Sequence, residues 1–227
     1  MSIVILLILF LGLIVGPGLW VKAVLARYSL PRDRYPYTGG ELARRLLDSI
    51  ELGWVRVESA DQGDHYDPTT KAVRLSPGNF DGRSLTAITV AAHEVGHAYQ
   101  DALGFRPLQW RTRLVLWVRP IEKLGAGLLL LAPFTVALSR IPFVGLVTFL
   151  GGLATLGTGT VIHLLTLPTE FDASFSRALP LLRERGVLLN GDEPRARRIL
   201  TAAALTYVAA SLMSLLNIAR WWAIIRR

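Results

Sequence analysis

The chain contains no cysteine. Disulfide staples, thiolate nucleophiles, iron–sulfur clusters and cysteine-type zinc fingers are excluded with it, so any metal must be held by His, Asp or Glu. Charge is scarce as well: 19% of the 227 residues are Asp, Glu, Lys or Arg, where soluble domains carry about 25%. Acidic side chains are the scarcer sign, 17 against 25 basic, which leaves a net charge of +8. There are four histidines, no internal repeat and no low-complexity tract. Apolar residues are abundant, at 52% with a mean hydropathy of +0.40. That composition excludes a disordered, collagenous or disulfide-stapled chain.

Four apolar stretches organise the sequence. Ile3 to Val21 runs nineteen residues without a charge, enough for a helix to cross a ~30 Å hydrocarbon core. It lacks a positive leader and exceeds a signal-peptide core, so residues 1–21 read as an uncleaved anchor, with a cleaved signal as the lesser alternative. Leu124 to Leu138 and Ile141 to Leu167 are divided only by Ser139-Arg140 and read as a transmembrane hairpin over 124–167. At fifteen residues the first arm is shorter than the usual ~20, which leaves a re-entrant segment as an alternative. Thr201 to about Ile218 precedes Arg220, Trp221 and Trp222. Residues 201–227 therefore read as a last span with a basic tail, because Trp beside charge suits a membrane interface.

Two polar segments remain, 22–123 and 168–200, and they hold 21 of the 25 basic residues. With four spans both lie on the same side, and the excess of Lys and Arg places that side in the cytoplasm. The expected protein is thus multi-pass in the cell membrane, in contact with the bilayer, with its polar part cytoplasmic. Nucleic acid is not an expected partner. The basic residues are spread without aromatic interleaving and suit a solvated face near anionic headgroups.

Local signals predict elements in the first polar segment. Thr38-Gly39-Gly40-Glu41 is a capping box, so a helix should run to about Leu52 with Gly53 as its stop. Trp54–Val57 and Ala72–Leu75 alternate with period two and read as strands, with turn chemistry at 61–64 and 67–68. Ser84 caps a second helix, Leu85 to Leu103, closed by Gly104.

That second helix carries His93-Glu94-Val95-Gly96-His97, the pattern H-E-x-x-H. Residues four apart share a helix face, so both imidazoles reach one metal ion. Glu94 projects near that face and suits the general base that takes a proton from a zinc-activated water. From four His and eight Glu, chance yields roughly 0.002 such matches per chain. The flanking Val90, Ala91, Ala92, Val95 and Ala98 let the helix be buried while the ligands face a cleft. A catalytic zinc takes a third protein ligand. His65, Asp67, His163 and Glu170 are the candidates. His163 sits in an apolar span, and His65 and Asp67 lie in the stretch between the strands. Glu170 follows the hairpin, which returns the chain to the side of His93 and His97. Thr169 would cap a new helix there, with Ser174 on the face of Glu170 as an orienting residue and Asp172 pointing nearly opposite.

The His93–His97 helix and its setting resemble the YugP-type family of neutral membrane zinc metallopeptidases. The likeness extends to His65-Tyr66-Asp67-Pro68, Val73–Pro77, Gly82–Thr86, Ala91–Gln100 and Leu167–Ser174. It implies His93 and His97 as ligands of one zinc ion per chain and Glu94 as catalytic acid/base. Similarity to the wider gluzincin group implies Glu170 as the third ligand. The HtpX-type and CAAX prenyl proteases carry an acidic residue where this chain has Ser174.

The expected architecture is a mainly α membrane protein: about four transmembrane helices and a small α+β zincin-like domain built from 22–123 and 168–200. The expected function is a membrane-embedded zinc metalloendopeptidase. Its peptide or protein substrate, naturally a membrane protein, would pair as an added strand along Ala72–Leu75. His65 and Tyr66 flank that strand as candidates for transition-state support. The competing class is a non-catalytic membrane scaffold with a structural or vestigial metal site. An intact Glu94 argues against it, because a structural site has no need of a base.

Overall fold

The computed structural model describes residues 2–31 and 33–225, with side chains at all of these except some within 2–10, 115–129, 153–163 and 210–225. Among the described residues the chain is mostly helical with one small sheet. In order come α1 (Ser2–Tyr28), α2 (Gly39–Ser49), β1 (Arg56–Ser59), β2 (His65–Asp67), β3 (Ala72–Leu75) and α3 (Pro77–Phe80). Then follow α4 (Leu85–Ala102), α5 (Arg106–Ser139), α6 (Pro142–Phe171), a π-helical stretch Asp172–Ala178, α7 (Leu179–Glu184) and α8 (Glu193–Ile225). The chain divides into two compact units. One comprises Met1–Gly18, Trp110–Thr166 and Tyr207–Arg227, the other Leu19–Gln109 and Leu167–Thr206.

The second unit forms around α4. Its start is set by Ser84, whose hydroxyl accepts from the Ala87 N–H. Gly104 takes a φ of 65° just beyond its end, a conformation without steric cost only for glycine. Nearly the whole helix is buried. It packs against α2, whose Leu42, Leu46 and Leu47 are fully enclosed. The capping box at α2 forms as the sequence indicates: Glu41 N–H donates to Thr38 Oγ1, and Thr38 N–H donates to Glu41 Oε2. The helix stops at Ser49, three residues earlier than expected. Glu51, not Gly53, takes the left-handed conformation, with φ 62°.

The sheet order is β1-β3-β2, with β1 parallel and β2 antiparallel to β3. Strand β3 covers Ala72–Leu75 as expected, and β1 starts two residues later than expected, at Arg56. Strand β2 lies in the stretch that reads as turn chemistry. Three residues are too few for an alternating pattern to register. Its presence corrects the docking expectation. Both edges of β3 are paired, so Ala72–Leu75 has no free backbone for a peptide, and the open edges among the described residues are those of β1 and β2.

The expected helix start at Thr169 does not occur. Helix α6 continues through Pro168 and Thr169 to Phe171. The cap signal at Thr169 is overridden because the apolar run before it is already helical. The helix then widens into the π-helical stretch, seen in the bond from the Leu179 N–H to Ser174 O five residues back. Such stretches are rare and concentrate at functional sites.

Asp192 fastens the far side of this unit. Its fully buried carboxylate accepts two bonds from Arg34 at 2.8 Å, one from Tyr35 Oη at 2.7 Å and one from Arg195 at 3.0 Å. Burial alone pushes its pKa up, but the Arg34 and Tyr35 bonds and the Arg34 charge outweigh that and hold it below the usual carboxylate range.

In the first unit, α5 and α6 are joined at Arg140, which adopts a φ of 58°. A Cβ on Gly125 would collide with Thr155, and one on Gly145 with Val136, so glycines set the close approach of these helices. Leu130, Leu131, Phe134, Leu138, Phe143, Leu146 and Leu150 are exposed. Among the described residues, Leu11–Tyr28 is the one stretch long and apolar enough to cross a membrane by itself. Leu130–Ser139 and Pro142–Gly152 are shorter apolar helical segments.

Candidate metal centre

His93, Glu94 and His97 lie on α4 and are almost fully buried. The four-residue spacing sets the two imidazoles 4.8 Å apart between ring centres and nearly perpendicular, at 78°. Glu170, on the last turn of α6, is fully enclosed against them. Its Oε2 lies 3.1 Å from His97 Nε2 and 3.4 Å from His93 Nε2. One ligand atom from each of the three falls within 4.8 Å of the others, and among the described residues this is the group of His, Asp and Glu able to hold a metal ion.

The approach of the two segments depends on Gly96. A Cβ there would stand 2.5 Å from the Ala173 carbonyl oxygen. The glycine at the fourth position of the motif thus lets α4 touch the π-helical backbone three residues beyond Glu170.

Hydrogen bonds around the site assign the histidine tautomers. Ser174 Oγ contacts Leu200 O at 3.1 Å and His93 Nδ1 at 3.0 Å. A carbonyl oxygen only accepts, so the single hydroxyl proton goes to Leu200 and His93 Nδ1–H donates to Ser174. At His97, Nδ1 lies 2.9 Å from Gln100 Oε1. The Gln100 Nε2 donates to Thr169 O at 2.9 Å and to Asp172 Oδ2 at 2.7 Å. The amide orientation follows, and His97 Nδ1–H is the donor. Both Nε2 atoms are left as lone pairs facing the Glu170 carboxylate. Such a group of acceptors repels itself unless a proton or a cation lies among them. Two imidazoles and a carboxylate, with their second nitrogens tied back, match the donor set of catalytic zinc sites.

His65, Tyr66 and Asp67 lie together on β2. His65 Nδ1 is 3.0 Å from Gly63 O. Tyr66 Oη donates to Asp101 at 2.6 Å, where Lys71 also pairs, and burial followed by this bond pushes the phenol pKa up. Asp67 is engaged by the Thr69 N–H, Thr70 and Arg74. The His163 side chain is outside the described set. Ser174 stands on His93, as its place on the Glu170 face suggests. Asp172 bonds Gln100 and Arg177. Gln100 is the residue that sequence reasoning missed. Its position three residues after His97, on the same helix face, is the signal that points to it.

A family model described as "Putative neutral zinc metallopeptidase" matches residues 3–226. The chain belongs to this family. One relative is the "Putative membrane protease YugP" of Bacillus subtilis (strain 168), 38% identical over 224 residues, which are 97% of this chain and 95% of that protein. No solved structure matches the chain. The family is named for zinc and peptide hydrolysis, and the buried His-His-Glu group is where this chain has donors suited to such an ion.

Proposed function

We propose that the protein is a zinc-dependent endopeptidase of the cell membrane, with His93, His97 and Glu170 as metal ligands and Glu94 as the general base. The observation that carries this reading is the convergence of three electron-rich atoms within 4.8 Å, both imidazoles having their Nδ1–H already spent on Ser174 and Gln100. When bound, zinc supplies a Lewis acid that polarises a peptide carbonyl and brings a water's pKa to about 7. Glu94, adjacent to His93 on the same helix, accepts the proton of the attacking water. It then hands that proton to the departing amine as the C–N bond breaks. The near-complete burial of all four side chains keeps bulk water from the reacting groups. A substrate backbone adds as a strand at the edge of β2, which is open among the described residues. Tyr66 anchors that strand to the C-terminal end of α4 through Asp101.

Membrane residence is supported by the relative's name, by the Leu11–Tyr28 stretch and by the exposed apolar side chains of α5 and α6. Four spans, with 22–123 and 168–200 in the cytoplasm, account for the distribution of the basic residues. Membrane proteins are then the natural substrates. The test is elemental analysis of the detergent-purified chain beside Glu170→Ala. One zinc per wild-type chain, lost in the variant, supports the ligand set. A folded wild type that takes up no zinc even after it is added back rules the reading out.

A further inference from the structure

Gln100 is fully buried in a helix that is otherwise largely apolar, and each polar atom of its amide is used. Oε1 accepts from His97 Nδ1–H at 2.9 Å. Nε2 donates its two hydrogens to Thr169 O and to Asp172 Oδ2, at 2.9 and 2.7 Å. Thr169 and Asp172 stand on either side of Glu170 in sequence. A single side chain therefore fixes the tautomer of one imidazole and pins the backbone that presents the carboxylate. Ser174 runs the opposite way, from the segment carrying Glu170 back to His93 on α4.

We propose that Gln100 is a positioning residue that assembles the metal centre, holding His97 and Glu170 in register with each other. This rests on the reading of His93, His97 and Glu170 as zinc ligands. The chemistry requires an amide at this position. A carboxylate accepts from His97 but turns an oxygen toward both the Thr169 carbonyl and the Asp172 carboxylate. A thioether or alkyl chain fills the space and makes none of the three bonds. Partners of this kind typically account for about 10–100-fold in metal affinity.

The experiment is competition for Zn2+ between the full chain in detergent and a chromogenic chelator. Four proteins are compared with the wild type: His97→Ala, Gln100→Met, Asp172→Ala and Asp172→Asn. Gln100→Met should bind zinc about 10–100-fold more weakly and still reach one ion per chain at saturation, which separates misplaced ligands from a lost fold. Asp172→Ala should weaken binding. Asp172→Asn should restore much of it, because its amide oxygen still accepts from Gln100 although the Arg177 ion pair is gone in both variants. If Gln100→Met yields no folded protein, the Asp172 pair decides: equal affinities for Ala and Asn overturn the proposal. It also falls if Gln100→Met stays within about threefold of wild type while His97→Ala loses zinc, and the ligand assignment then stands. A wild type that binds no zinc, or His97→Ala binding as tightly as wild type, overturns both.

Discussion

His93 Nδ1–H donates to Ser174 Oγ at 3.0 Å, and that hydroxyl in turn donates to Leu200 O at 3.1 Å. The relationship joins three separate stretches of chain behind one imidazole. Ser174→Ala removes the acceptor and leaves the buried His93 Nδ1–H without its partner. Zinc affinity should fall about 10–100-fold, and stability by about 1–3 kcal/mol for the group left unpaired. Chelator competition and denaturant unfolding read the two effects separately.

Gly96→Ala tests the contact between α4 and the π-helical stretch. In an exposed helix this change stabilises by about 1 kcal/mol. Here the new Cβ would stand 2.5 Å from the Ala173 carbonyl oxygen, and backbone on both sides leaves little room to yield. Overpacking should win, with a net loss of about 1–3 kcal/mol and weaker zinc binding as Glu170 moves off the imidazoles. Thermal unfolding without metal and zinc stoichiometry together check it.

Asp192 sets an acid limit on stability. Its folded pKa lies below the usual carboxylate value, so its contribution is present above that value and is lost as pH falls through the folded one. Asp192→Asn should cost about 1.5–3 kcal/mol at neutral pH, the range for bonds to a charged group. It should also flatten the decline of stability below the usual carboxylate pKa of about 3.9. Urea unfolding of wild type and variant from neutral to acid pH measures both.

Topology can be read without background, because the chain has no cysteine. With cytoplasmic polar segments, Ile141→Cys at the hairpin turn should react with a membrane-impermeant maleimide added to intact cells. Ser59→Cys and Glu184→Cys should react only after the membrane is opened. The reverse pattern contradicts the proposed orientation.

The parts legible in the sequence are those specified by neighbours in the chain. The Thr38–Glu41 box, the Ser84 cap and the break at Ser139-Arg140 each act within a few residues, and each stands where expected. H-E-x-x-H is legible for the same reason, since helix period alone aligns His93 with His97. What lay beyond reach depends on distant partners. β2 is held by pairing with β3 rather than by its own pattern. The helix start signalled at Thr169 is local, and the helix already running into it overrides it. Gln100 reads as one polar residue on a buried helix until Thr169 and Asp172 arrive from 69 and 72 positions away.

The most direct test of the central claim compares hydrolysis of a quenched fluorescent unfolded protein by wild type and Glu94→Gln, each purified in detergent and loaded with zinc. The account predicts equal zinc content and a loss of about 10²–10⁴-fold in rate for Glu94→Gln, the usual worth of a general acid–base residue. Cleavage that survives in Glu94→Gln at full zinc occupancy contradicts it.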